Sequence, residues 1–198
     1  MMVAMTATPV RERTRREIEQ QAMALFAEKG YQATSLQDIA TAAGCSKATV
    51  LYHFNGKPAV LAAVVEPAAA TVTALIEEAT QLRPAEAQNR AITGFVDLAV
   101  RFRGLLAVLN EVVPTMPEIP EFGPMVADGQ KLIRLLAGSD DPRRLELAGF
   151  AVNGVLGEFR SPHQRADDEL RQLCVTAIRR LLTGPSPGPT HASPPGQS

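Results

Sequence analysis

The stretch TSLQDIATAAGCSKATVLYHF, residues 34–54, constrains the fold of this 198-residue chain more than any other. Ser35 precedes an apolar run and Asp38 follows three residues later. This is a capping-box arrangement with Asp in place of Glu: the hydroxyl accepts from the third amide of a helix, and the carboxylate accepts from the cap amide. It starts a short helix over 36–43. Gly44 ends that helix where the turn wants a positive φ. Ser46 caps a second short helix from Lys47 to about His53.

Two short helices joined by a three- or four-residue turn containing Gly form a helix-turn-helix unit. Ala40 is small where the helices must cross closely, and Val50 points back into the first helix. Ile39, Ala43, Cys45 and Phe54 fill the rest of a small core. Neither helix buries enough alone. An upstream helix over 11–29, with Ile18, Ala22, Leu25 and Phe26 at helical spacing, must complete the core before Gly30 ends it. The outer face of the second short helix carries Lys47, Ala48, Thr49 and His53, short or cationic groups suited to base edges and phosphates in a major groove. From the caps and glycine alone, an ordinary αα-hairpin remains the alternative.

The rest of the chain reads as helix, because Ala and Leu dominate and Val and Ile form no alternating runs. The expected fold is all-α: a three-helix DNA-binding domain followed by a larger helical domain. A long helix is expected from Pro58 to Leu82, with a kink or break near Glu66 caused by Pro67, which would serve as a hinge. Further helices are expected over 84–102, 105–113, 121–137, 142–160 (capped by Asp140 or Asp141) and 161–182. The proline-rich PTMPEIPEFGP should be a loop. The boundaries are then 1–10 for a flexible start, 11–57 for the head, 58–183 for the larger helical domain, and 184–198 for a Pro, Gly and Ser tail expected to be disordered.

Several function classes are disfavoured. Cys45 and Cys174 are the only cysteines, so a disulfide scaffold or zinc site is not expected. His53, His163 and His191 are the only histidines, without nucleophile–base or metal-ligand spacing, so no metal, no cofactor and no enzymatic activity are expected. The N-terminus lacks a signal-peptide pattern, and no window is expected to reach the ~18 apolar residues of a membrane span. The expectation is a cytoplasmic protein without a membrane partner. Between residues 11 and 57, seven Lys/Arg face five Asp/Glu, a net of +2. So weak a field leaves recognition to local placement. Arg11, Arg13, Arg15 and Arg16 can add phosphate attraction or form a solvated face with Glu12, Glu17 and Glu19.

The segment FAEKGYQATSLQDIATAAGCSKATVLYHFNGKPAVLAAVVE resembles the N-terminal domain of the TetR (tetracycline-repressor-like) family of bacterial transcriptional regulators. The matching signs are Phe26, Gly30–Tyr31, Thr34, Ile39–Ala40, Ala43–Gly44, Ser46, Thr49, Tyr52, Phe54 and Lys57, within about residues 11–66. Pro58 stands where the family often has an acidic residue, and Leu51 where an aromatic residue is common. The resemblance implies that Thr34, Tyr52 and Lys57 reach phosphates, beside Ser46, Lys47, Ala48, Thr49 and His53 on the DNA side. It implies homodimerisation through the last two helices on a palindromic double-stranded operator. Apolar stripes there include Leu147, Phe150, Ala151, Gly154 and Val155, then Leu170, Leu173, Cys174, Ala177, Ile178 and Leu181, although such stripes more commonly form the chain's own core. It also implies release by an unknown small-molecule effector, most simply from a repressor. Candidate residues for that ligand are Phe95, Phe102, Leu106, Glu111, Met116, Phe122, Met125 and Asn153, which equally suit ordinary core. The rival reading is a helical small-molecule-binding protein with a degenerate DNA-binding head.

Overall fold

Ile18, Ala22 and Phe26 recur at four-residue intervals and are fully or almost fully buried, which sets the inner face of helix α1 (Ala7–Lys29). The computed structural model describes residues 7–158 and 166–183. The chain continues through α2 (Leu36–Ala42), α3 (Lys47–His53), α4 (Lys57–Thr80), α5 (Pro84–Arg101) and α6 (Arg103–Val112). Two 3₁₀ turns follow, Val113–Glu118 and Pro120–Phe122, then α7 (Gly123–Ala137), α8 (Pro142–Glu158) and α9 (Asp167–Thr183). Among the described residues there is no strand.

Helix α1 begins earlier than expected, and Pro9 falls in its first turn, where the missing amide hydrogen has no intrahelical partner to lose. The proline-rich segment is not an irregular loop. Pro114, Pro117 and Pro120 hold φ near the value that 3₁₀ turns require, and the turns carry Met116 and Phe122 into the core. Asp141 is the cap of α8, its Oδ1 accepting from the Arg144 amide at 3.1 Å. The expected start of the last helix at 161, like His163, His191 and the tail, lies outside the described residues.

Helix α4 corrects two expectations. It runs through Pro67 as one element. Pro67 is exposed, while Val65 and Ala68 on either side are buried, so packing holds the helix together where one backbone hydrogen bond is lost. By length and composition α4 is also apolar enough to cross a membrane. Here it is instead the central helix, packed against α1, α5 and α7, with Val60, Leu61, Val65, Leu75, Ile76 and Ala79 buried. Its N-terminal third belongs to the core of α1–α3. Its remainder joins α5–α9.

Candidate functional site

The head is built by local chemistry. Ser35 Oγ accepts from the Asp38 amide at 3.1 Å and Asp38 Oδ2 accepts from the Ser35 amide at 2.9 Å. The Ser35 hydroxyl, and after it the Ser35 amide, hold the Asp38 carboxyl below its ordinary pKa. At the far end of α2, Cys45 N donates to Ala40 O at 2.9 Å and Gly44 N to Thr41 O at 3.2 Å. That double closure is a Schellman turn, and Gly44 sits in it at φ +63°. Ser46 Oγ then accepts from the Thr49 amide at 3.0 Å and starts α3.

This construction fixes which face of α3 looks outward. Val50 is buried against α2, with Ala40 and Ile39 fully buried beneath it. Lys47, Ala48, Leu51 and Tyr52 are exposed, at positions i, i+1, i+4 and i+5 of one arc. Tyr52 is 68% exposed, its phenol outward and its ring beneath the Arg11 guanidinium at 5.3 Å. Leu51 is 49% exposed and belongs to the arc. Only its departure from the family pattern marked it in the sequence. Thr49 and His53 flank the arc and are half-buried. Ser46 is exposed, with its oxygen engaged in the cap and 2.8 Å from Thr49 Oγ1.

Thr34 and Lys57 are placed differently from the phosphate-reaching role expected of them. Thr34 is 1% exposed, and its hydroxyl donates to Gly30 O at 2.8 Å, because a buried hydroxyl needs an acceptor. Lys57 Nζ donates to the carbonyls of Tyr31 at 2.8 Å, Thr34 at 2.9 Å and Gln32 at 3.3 Å. It lies 4.3 Å from the centre of the Tyr31 ring. Three donors meet three carbonyls, so Lys57 ties the start of α4 to the α1–α2 loop.

The basic run divides as well. Arg15 pairs with Glu19 at 3.0 Å, donates to His53 O at 3.3 Å and lies 4.4 Å over the Phe54 ring. Arg16 pairs with Glu12 at 3.3 Å. Arg11 and Arg13 are exposed. Burial, and then the Arg11 and Arg15 charges, push His53 below its ordinary pKa.

Behind the head lies a cavity of about 220 Å³. Ala68, Ala69 and Val72 of α4 line it with Phe95 and Leu98 of α5, Leu106 and Leu109 of α6, and Val113 and Met116 of the first 3₁₀ turn. Met125, Gly129, Leu132 and Ile133 of α7 and Val152 and Leu156 of α8 complete it. Four of the expected ligand residues are thus brought together: Phe95, Leu106, Met116 and Met125. Phe102 sits at the α5–α6 junction under Arg101, Phe122 is 1% exposed in core away from the cavity lining, and Asn153 faces outward from α8. The side chain of Glu111 lies outside the described residues. The sequence carried no sign of Gly129 in this role.

On the opposite side, α8 and α9 form an outward apolar groove. Ala151, Val155, Cys174 and Ile178 are buried and form its floor, Glu158 lines it as well, and Leu170 is buried in the chain's own core. Phe150 is 70% exposed and Leu173 47%, with Gly154, Ala177 and Leu181 beside them.

Residues 18–64 match the family "Bacterial regulatory proteins, tetR family". No curated protein matches the chain by sequence. Solved structures share the fold across almost their whole length. A bacterial regulatory protein of the tetR family from Rhodococcus RHA1 superposes with a TM-score of 0.68 at 17% identity, covering 85% of this chain and 96% of that one. The ketosteroid transcriptional regulator KstR2 of Mycobacterium tuberculosis gives 0.66 at 16%, covering 86% and 93%. The TetR-family regulator PfmR from Thermus thermophilus gives 0.65 at 22%, covering 84% and 97%.

Proposed function

Starting from a chain that carries the N-terminal DNA-binding domain of the tetR family and the fold of its regulators, we propose a homodimeric transcriptional repressor that binds a palindromic operator and is released by a small-molecule effector. The single observation that carries the reading is the exposed arc of Lys47, Ala48, Leu51 and Tyr52 on a helix capped at Ser46 and backed by Val50. A cation, a methyl, an isobutyl and a phenol on one face offer a charged contact, close backbone approach, an apolar contact and a phosphate donor. Lys47, Ala48 and Leu51 read bases, Tyr52 and Arg11 hold phosphates, and His53 closes the end of the helix.

One such head covers too little DNA for tight binding. Pairing two across the α8–α9 groove, where Phe150 and Leu173 lack cover, places two recognition helices on a twofold axis. An operator then has half-sites about 34–36 Å apart. Helix α4 carries both head core (Val60, Leu61, Val65) and cavity wall (Ala68, Ala69, Val72), and α6, which lines the cavity, packs on α1. A ligand that prefers a different α4–α6 arrangement shifts the heads and weakens DNA binding by that difference in affinity. The protein acts in the cytoplasm, where its DNA is, and is not an enzyme.

The test is retention of genomic DNA fragments by the purified protein at two salt concentrations, with sequencing of what is retained. The expected result is a palindrome whose retention drops in Lys47→Ala. Retention without sequence preference, or none, transfers the reading to a helical small-molecule-binding protein with a degenerate head.

A further inference from the structure

Every described side chain lining the cavity is a hydrocarbon or a thioether. Three polar groups beside lining residues are closed on one another. Thr73, next to Val72, donates to Asp128 Oδ2 at 2.7 Å, and Lys131 Nζ donates to Asp128 Oδ1 at 2.8 Å. Asp128, next to Gly129, thus has both oxygens engaged. A charged ligand would leave its hydration shell here and find no counter-charge among these groups.

Gly129 is the second observation. It stands in the interior of α7, where glycine is disfavoured relative to alanine. It is not among the glycines with positive φ, and a Cβ built on it meets no atom within 4 Å. Neither the backbone nor a close neighbour demands glycine. Its missing side chain leaves room in the cavity. That room totals about 220 Å³, against the roughly 150 Å³ of an engineered apolar cavity that admits benzene.

The geometry points to an uncharged, apolar small molecule, one ring with a short alkyl chain in size, as the occupant of this cavity, with Gly129 setting its upper length. As the identity of the effector, this deepens the regulator reading and rests on it. Occupancy of the cavity can be measured separately.

The test uses the full-length protein and three molecules of matched shape: n-butylbenzene, 4-phenylbutyrate and 4-phenylbutylamine, followed by calorimetric titration. The expected result is saturable binding of n-butylbenzene, one per chain, at least tenfold tighter than either ion. Gly129→Leu should weaken it at least tenfold while melting no lower than the parent. Gly129→Ala, which adds one methyl to open space, should shift preference from n-butylbenzene to ethylbenzene and serves if the Leu variant does not fold. Tighter binding of the amine, lost in Glu111→Gln, overturns the inference. So does tighter binding of the acid, absence of hydrocarbon binding up to its solubility, or unchanged preference in the Gly129 variants. Hydrocarbon binding that leaves operator retention intact defeats the effector role but not the cavity assignment. Failure to retain any operator defeats the regulator reading alone.

Discussion

The Lys57 ammonium lies 2.8 Å from the Tyr31 carbonyl and 4.3 Å from the centre of the Tyr31 ring. Burial pushes its pKa down, while the three carbonyls it meets favour the charged form. Lys57 is therefore a brace between α4 and the loop that leads into α2. On the proposed regulator reading, its effect on DNA binding is positional.

Removing that brace should cost stability. Hydrogen bonds to a charged group contribute about 1.5–3 kcal/mol, so Lys57→Met is expected to destabilise by about 2 kcal/mol. In a chain of this size that lowers Tm by roughly 4–8 °C. The salt dependence of operator binding should keep its slope, whereas loss of a phosphate contact would lower it by about 1. A melting curve and a salt titration decide between the two roles.

The exposed arc should behave in the opposite way. Lys47→Ala and Tyr52→Phe touch no core, so stability should stay within about 0.5 kcal/mol of the parent. Operator affinity should fall. A good base contact contributes about 1–3 kcal/mol of discrimination, so Lys47→Ala or Leu51→Ala should also relax sequence preference. Selection from a randomised half-site measures this directly.

The two caps predict separate stability contributions, one of them acid-sensitive. Ser35→Ala and Ser46→Ala should each cost about 1 kcal/mol. Asp38 is lowered from an ordinary value of 3.8, so the stability it contributes is present above that value and lost as pH falls through its folded pKa. Unfolding followed between pH 5 and 2 should show a smaller acid dependence in Asp38→Asn.

His53 predicts a pH dependence of DNA binding. Its pKa is lowered from 6.5, so the unfolded chain takes up the proton first, and stability falls as pH drops through about 6.5. Phosphate nearby favours the imidazolium, so operator binding should tighten over the same range, by at most about tenfold per pH unit for one proton. His53→Gln should flatten the profile. The Arg11 and Arg15 charges face it, and the Tyr52 ring lies edge-on to it.

The groove on α8 and α9 predicts assembly. Phe150→Glu places a charge on a side chain that is 70% exposed in the single chain. The folded chain should tolerate it, while a dimer burying Phe150 should dissociate and lose operator affinity. Sedimentation with circular dichroism separates dissociation from unfolding.

Much of the head was legible in the sequence because its determinants are local. Ser35 and Asp38 are three residues apart, Gly44 closes its turn within four, and Ser46 reaches only to Thr49. Helical periodicity likewise marked the buried face of α1. What tertiary structure decided depends on distant pairs. Lys57 meets its carbonyls 23–26 residues away, a pairing that no local pattern shows. Thr34 is buried because α1 lies over it. Phe95 lines the cavity while Phe122 packs elsewhere in the core, although both sit in equally apolar segments. Helix rotation, set by neighbours on several sides, chose between them. Pro67 failed to break α4 for the same reason, since burial on both sides of it outweighs one lost hydrogen bond. Sequence by itself determined where helices begin and end around the recognition helix. Only the packed structure decided which polar groups were free to meet a partner, because satisfying a buried donor or acceptor is a property of the whole fold.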